Sequence, residues 1–259
     1  MSIKQVNDKD KAIKKNLELW YKKINKKEFI QHDPVQFPHM FSASLHNRQQ
    51  NTEIAAFISA SIAWGRRDLI LRSCNNIFQL LKPDPFTYIM SGDYGNLKKN
   101  NIHRTFFESD LLYFCRGLKK CYTQYNTLES LFASVKDVWN GLVLFRETMA
   151  GGNKGLYTKH IASALSNSAC KRLNLSLRWL VRKQGPVDLG LWNKISPASL
   201  FIPLDLHVGR ISRQLGLLDK NRMANDKKAV IALTERLRAF CPEDPVKYDL
   251  AMFGMGIKA

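Results

Sequence analysis

Apolar residues recur at intervals of three and four along most of this chain, and that pattern limits its fold more than any other feature. Ile70, Cys74, Ile77 and Leu81 fall on one helical face, and Pro83 and Pro85 then stop the run. Phe107, Leu111, Phe114, Leu118 and Cys121 repeat the period, as do Leu128, Leu131, Val135, Val138 and Leu142. A further stripe is Val230, Leu233, Leu237 and Phe240, and Asp244-Pro245 after it reads as an N-cap with proline at the first helical position. Period-two alternation, the mark of a half-buried strand, is nearly absent. The expectation is an all-α protein of roughly ten helices. The irregular stretches are 82–104 and 185–204, and Gly151-Gly152 marks a turn. No internal repeat or low-complexity linker divides the chain, so residues 1–259 are expected to form a single folded unit.

Charge narrows the partner. Lys and Arg number 40 against 22 Asp and Glu, a formal net charge of +18, which points to a polyanion and first of all to nucleic acid. The opening MSIKQVNDKDKAIKK has no apolar core, so a secretory signal is not expected. No apolar run reaches the ~18 residues of a membrane span. The cysteines Cys74, Cys115, Cys121, Cys170 and Cys241 are odd in number and scattered, as in a protein with reduced thiols. No Cys-x-x-Cys pair occurs, so neither a metal nor an iron–sulfur cofactor is expected. These features together describe a cytoplasmic protein without a membrane partner.

Residues 165–217 hold the most chemistry. A polar turn at Ser166–Ala169 leads into an amphipathic helix with Leu173, Leu177, Leu180 and Val181 on its buried face, and Lys171 stands at the helix start. The positive end of the peptide dipoles there disfavours the ammonium form, and a free amine is a nucleophile. Further on, Pro203-Leu204-Asp205-Leu206-His207-Val208-Gly209-Arg210 opens another helix with Asp205 as N-cap, which fixes and ionises its carboxylate.

The phrase PLDLHVGRISRQLGL resembles the Pro-x-Asp-x-His-x-x-Arg segment of the helix-hairpin-helix DNA glycosylases, the superfamily of endonuclease III and the 8-oxoguanine glycosylases. That family's hairpin reads Leu-Pro-Gly-Val-Gly-x-Lys, and Leu165–Lys171 has the same length with lysine in the same place. The long connection from Lys171 to Asp205 is similar to that of the archaeal 8-oxoguanine lyases. Glu53–Trp64 resembles the helix that opens the superfamily's six-helix lobe, and Ala251–Gly256 its closing helix. The chain also resembles a bacterial family of unknown function that carries Arg-Trp-Leu-Val-Arg and Asp-Leu-Gly-Leu-Trp phrases.

The resemblance implies a two-lobed glycosylase-like fold, with lobes at about residues 50–165 and at 1–49 plus 166–259 and a basic cleft between them. It implies a monomeric base-excision enzyme acting on double-stranded DNA at a damaged base, an oxidised purine for example, with AP lyase activity. Lys171 and Asp205 would be the catalytic pair. Arg66, Arg67, Asn167, Arg172, Arg178, Arg182, His207 and Arg210 are the candidate nucleic-acid contacts. Arg178 and Arg182, four apart on one helix, can alternatively pair with acids, and His207 can pack in the core. Trp64 and Trp192 are candidates for stacking on an extruded base, whereas Trp179 is expected in the core. Two departures stand out. The hairpin glycines, which let backbone amides approach a phosphate, are replaced by Asn167 and Ala169, and Gly65-Arg66-Arg67 stands where a glutamine-rich wedge is usual. A non-catalytic DNA- or RNA-binding protein on the same fold is therefore the alternative.

Overall fold

The structure is a computed structural model and describes residues 8–257; the first seven residues of the opening segment read above lie outside it. In order, the helices are α1 (Asp8–Ile24), α2 (Lys27–Gln31), α3 (Gln36–Ser42), α4 (Arg48–Ser61), α5 (Arg67–Leu80), α6 (Pro85–Ser91), α7 (Glu108–Tyr125), α8 (Leu128–Ala133), α9 (Val138–Gly151), α10 (Lys171–Val181), α11 (Leu206–Gln214), α12 (Lys227–Arg238) and α13 (Tyr248–Ile257). Strands β1 (Asn101–His103) and β2 (Phe106–Phe107) pair antiparallel ahead of α7. Among the described residues, the protein is thus all-α apart from this small hairpin. Among the described residues, no helix is long and apolar enough to cross a membrane.

The chain divides into two compact units. Ile30–Ala164 form one, and the described residues up to Phe29 together with those from Leu165 onward form the other. Within the first, α3 packs on α4, and α7 packs on α8 and α9. The α7–α9 approach depends on Gly152, where a Cβ would lie 2.5 Å from the Arg116 carbonyl oxygen. Within the second, α13 is flanked by α1 and α11.

Side-chain caps explain where the apolar stripes break. The stripe from Leu128 to Leu142 is two helices, because Asp137 caps α9 by accepting from the Asn140 amide at 2.8 Å and Thr127 caps α8 through the Ser130 amide at 3.0 Å. The irregular stretch after Leu81 holds α6, started by Asp84 with Pro85 behind it. Asp244-Pro245 begins a 3-10 turn at Pro245–Lys247, but the Asp244 side chain caps nothing.

One buried carboxylate organises the Ile30–Ala164 unit. Glu53, in the middle of α4, is fully buried. Its oxygens accept from the Leu128 amide at 2.8 Å and the Glu129 amide at 3.1 Å, the first two N–H groups of α8. Tyr122 Oη donates to it at 3.2 Å. Burial, and then the Glu53 charge, push the Tyr122 phenol well above its ordinary value, so it stays a donor. Three donors on α7 and α8 therefore share one carboxylate of α4. Glu53→Ala should cost about 3 kcal/mol, since it strands buried donors. The check is a urea midpoint lowered at unchanged slope.

Candidate active site

The Ser166–Ala169 turn is held in place before it delivers Lys171. Asn167 Nδ2 donates to Asp226 Oδ2 at 2.8 Å, the Asn167 carbonyl accepts from the Lys227 amide at 3.2 Å, and Ser168 bridges to Asp226 in an antiparallel pair. Cys170 then turns left-handed at φ 46°, and α10 starts at Lys171. No helix runs directly into this turn, because α9 ends at Gly151 and residues 152–164 are turns, a bend and irregular chain. The segment is therefore one helix entered by a docked turn, which departs from two helices joined by a hairpin. Asn167, expected to meet DNA, is exposed and fastens the turn to the start of α12.

Asp205 is the N-cap of α11, as the sequence indicates. Its Oδ1 accepts from the Val208 amide at 2.7 Å, and Oδ2 lies 3.6 Å from Lys171 Nζ. One oxygen is anchored to the backbone and the other faces the amine. The Lys171 side chain is 35% exposed and that of Asp205 is 14% exposed, so solvent reaches both. The Asp205 carbonyl accepts from the Gly209 amide at 2.8 Å and from Asn225 Nδ2 at 3.0 Å. The pair therefore joins residues 34 apart in sequence within a single compact unit.

The other candidates divide. Arg178 and Arg182 do not reach the surface: they are 3% and 0% exposed and committed to acids. Arg178 Nε pairs with Asp188 Oδ1 at 3.2 Å, and Arg178 Nη1 pairs with Asp249. Arg182 Nη1 pairs with Asp188, and its Nε and Nη2 grip Asp244 at 2.8 Å each. Neither can hold a phosphate, and the acid-pair alternative is the one observed. Trp192, at 1% exposure, has no face for a base and is a core residue, as is Trp179. Trp64 belongs to the other unit, where its ring lies edge-on to His103 at 5.0 Å and stacks on His160 at 5.9 Å. Arg66 and Arg67 also belong to that unit, and the exposed Arg66 pairs with Asp68 at 2.8 Å. His207 is exposed rather than packed in the core, with its ring 6.3 Å from Phe253. Arg210 is exposed and donates to the Gly256 carbonyl at 2.7 Å. Arg172 is half-buried, and burial draws its guanidinium below the usual value. The five cysteines are all buried, and burial pushes the Cys74 and Cys115 thiols up to about 12, which argues against a thiolate nucleophile at those positions.

Behind the pair lies a cluster the sequence reading did not assemble: Arg178 and Arg182 with Asp188, Asp244 and Asp249. Burial alone would lower the Arg182 guanidinium, but Asp188 and Asp244 hold it above its ordinary value. Two cations face three carboxylates, so one acid is in surplus. Asp249 bears the strain: its carboxyl is pushed up to about 6, by burial first and by the Asp205 and Asp188 charges, against the opposing pull of Arg178. Two aspartates of this cluster had a sequence signal. Asp188 opens the Asp-Leu-Gly-Leu-Trp phrase, and Asp244 stands out as an acid next to proline.

A family model described as a protein of unknown function (DUF2400) matches residues 33–258. The chain belongs to that family. No curated protein and no solved structure matches it, so for this DUF2400 protein the likeness to glycosylases rests on its residues alone. The match takes in the Lys171–Asp205 pair and the whole Arg–Asp cluster, and begins after α1.

The surplus acid makes a prediction for DUF2400 stability. Between about pH 4 and pH 6 the folded chain holds the Asp249 proton and the unfolded chain does not. Stability contributed by this group is therefore present below pH 4 and lost as pH rises through 6, by about 3 kcal/mol in all. Asp249→Asn should flatten that part of the profile. Urea midpoints of both proteins at pH 4, 5 and 6 check it, and parallel profiles would count against the assignment.

Proposed function

We propose that this protein is a DNA base-excision glycosylase with AP lyase activity, acting on a damaged base in duplex DNA, with oxidised purines the first class to test. The observation that carries the reading is the 3.6 Å approach of Lys171 Nζ to Asp205 Oδ2, with both groups open to solvent. The net charge of +18 supports a polyanionic substrate.

In this reading the damaged nucleotide leaves the stack before its glycosidic bond can be reached. Lys171, as the free amine, forms a bond to the sugar C1′. The C1′–N bond to the base breaks, and its electron pair departs with the base. Asp205 faces the amine, so its carboxylate takes the proton the amine sheds and offsets positive charge growing on the sugar. The proton then passes to the ring oxygen, the sugar ring opens, and an imine joins Lys171 to C1′.

A second reading is a non-catalytic DNA- or RNA-binding protein. It is favoured by the turn before Lys171, whose Asn167 and Ser168 are engaged with residues 226–227 rather than left open toward a phosphate.

Borohydride trapping separates the two. On duplexes carrying an abasic site or 8-oxoguanine, the wild type should yield a covalent adduct, because the reductant freezes the imine as an amine. Lys171→Gln should abolish the adduct with little loss of stability, and Asp205→Asn should slow base release while keeping an N-cap oxygen. Affinity for the same duplexes should change little in either variant and should fall steeply with salt. Salt-sensitive binding without any adduct would favour the second reading. An adduct that survives Lys171→Gln would assign the chemistry to another amine.

A further inference from the structure

We propose that Asn225 is a positioning residue for Asp205, braced by Arg213 and admitted by Gly209. The structural part stands on contacts alone; the catalytic part rests on the function proposed above.

The loop between α11 and α12 would be free to wander if nothing held it. Arg213, near the end of α11 and 7% exposed, spends its guanidinium on it. Nε donates to the Arg222 carbonyl at 2.8 Å, Nη2 to the Ala224 carbonyl at 3.0 Å, and Nη1 to Asn225 Oδ1 at 2.9 Å. Asn225 Nδ2 then donates to the Asp205 carbonyl at 3.0 Å. The amide's orientation is determined by its partners. A guanidinium only donates and a carbonyl only accepts, so the oxygen must face Arg213 and the nitrogen must face Asp205. Asp205 is thereby held through its peptide by Asn225 and Gly209 and through its carboxylate by Val208, which leaves Oδ2 to face Lys171.

Gly209 makes this bridge possible. A Cβ there would lie 2.5 Å from Asn225 Oδ1, 2.6 Å from Asn225 Nδ2 and 2.8 Å from Arg213 Nη1. Glycine inside a helix is otherwise a cost, and alanine is the better helix former. The space over Gly209 is therefore where the Asn225 amide crosses α11 to reach the cap.

The experiment is a cycle of four proteins read by melting temperature, with a fifth variant read by trapping. Gly209→Ala should lower the melting temperature of the wild type, because the methyl expels the Asn225 amide. In an Asn225→Ala background the same change should lower it much less, because only Arg213 Nη1 still stands against the methyl and the better helix propensity of alanine offsets that contact. The second readout is the single-turnover rate of borohydride trapping on an abasic-site duplex, beside the Kd for that duplex. Asn225→Asp keeps an acceptor for Arg213 but has no N–H for Asp205. It should fold, bind the duplex as the wild type does, and trap roughly tenfold to hundredfold more slowly, as a small misplacement of a catalytic group does.

A Gly209→Ala shift of the same sign and size in both backgrounds would overturn the proposal. Wild-type trapping by Asn225→Asp would overturn it as well. If the wild type forms no adduct at all, the reaction assignment fails on its own, and the four melting temperatures decide whether Asn225 holds Asp205.

Discussion

Asp188, a fully buried carboxylate shared by Arg178 and Arg182, is the contact around which the unit containing Lys171 is arranged. Residues seven and eleven apart on a helix return to within about 20° of the same direction, so Lys171, Arg178 and Arg182 form one stripe along α10. Asp188 and Asp244 fix the deep end of that stripe, Asp249 the middle, and Asp205 meets its outer end. Rotating α10 to move Lys171 away from Asp205 would break four buried ion pairs on the way. Such pairs add little net stability over well-packed apolar residues, yet breaking one is expensive. Their effect here is to specify a geometry, namely which way Lys171 points.

The same reasoning explains why Asp205 is well held although partly exposed. It opens α11, and α11 lies along α13, where Arg210 donates to the Gly256 carbonyl and Ser212 reaches Met252. The first turn of α13 supplies Asp249, the partner of Arg178. The carboxylate that faces Lys171 and the acid that orients the lysine's helix are thus carried by two helices in contact. A cap hydrogen bond alone fixes one end of a carboxylate. A helix tied to α10 by buried charge and packed on α11 fixes where that cap sits.

Much of this was legible in sequence, for a physical reason: helix periodicity and caps are local. The stripes of α5, α7 and α12 and the Asp205 cap come from residues within a turn or two of one another. The failures share the opposite character. Asp244 looked like a cap because proline follows it, but Arg182, sixty-two positions away, takes its carboxylate. Arg178 and Arg182 read first as nucleic-acid contacts, with pairing to acids the alternative, because arginine is usually exposed. Their neighbours Leu177, Trp179, Leu180 and Val181 are all buried, and an Arg-x-x-x-Arg spacing on so apolar a helix was the available signal. The Leu128–Leu142 stripe kept its period across a break because the residues between α8 and α9 preserve the spacing while Asp137 restarts the helix. Asn225 gave no local sign at all. Its role arises only when the loop, Arg213 and the cap come together in space.

Burial also changes what the charge balance means. A net charge of +18 treats every arginine as available to a polyanion, but Arg178 and Arg182 are neutralised inside, and Arg213 is consumed by backbone carbonyls and an amide. Arg222 is turned onto Asp226, whose carboxyl it holds well below the ordinary range. The exposed positive charge of this unit therefore falls largely to lysines, including Lys15 and Lys22 on α1 and Lys228 on α12, with Arg210 beside the site. Lysine meets a phosphate as a hydrated point charge, whereas arginine clamps it with a planar fork. On the function proposed above, a surface of this kind would attract a backbone without fixing its register. The buried stripe of α10 cannot meet such a backbone, so of the groups this unit holds fixed only the cap on α11 and the loop that Arg213 holds against it stand near solvent.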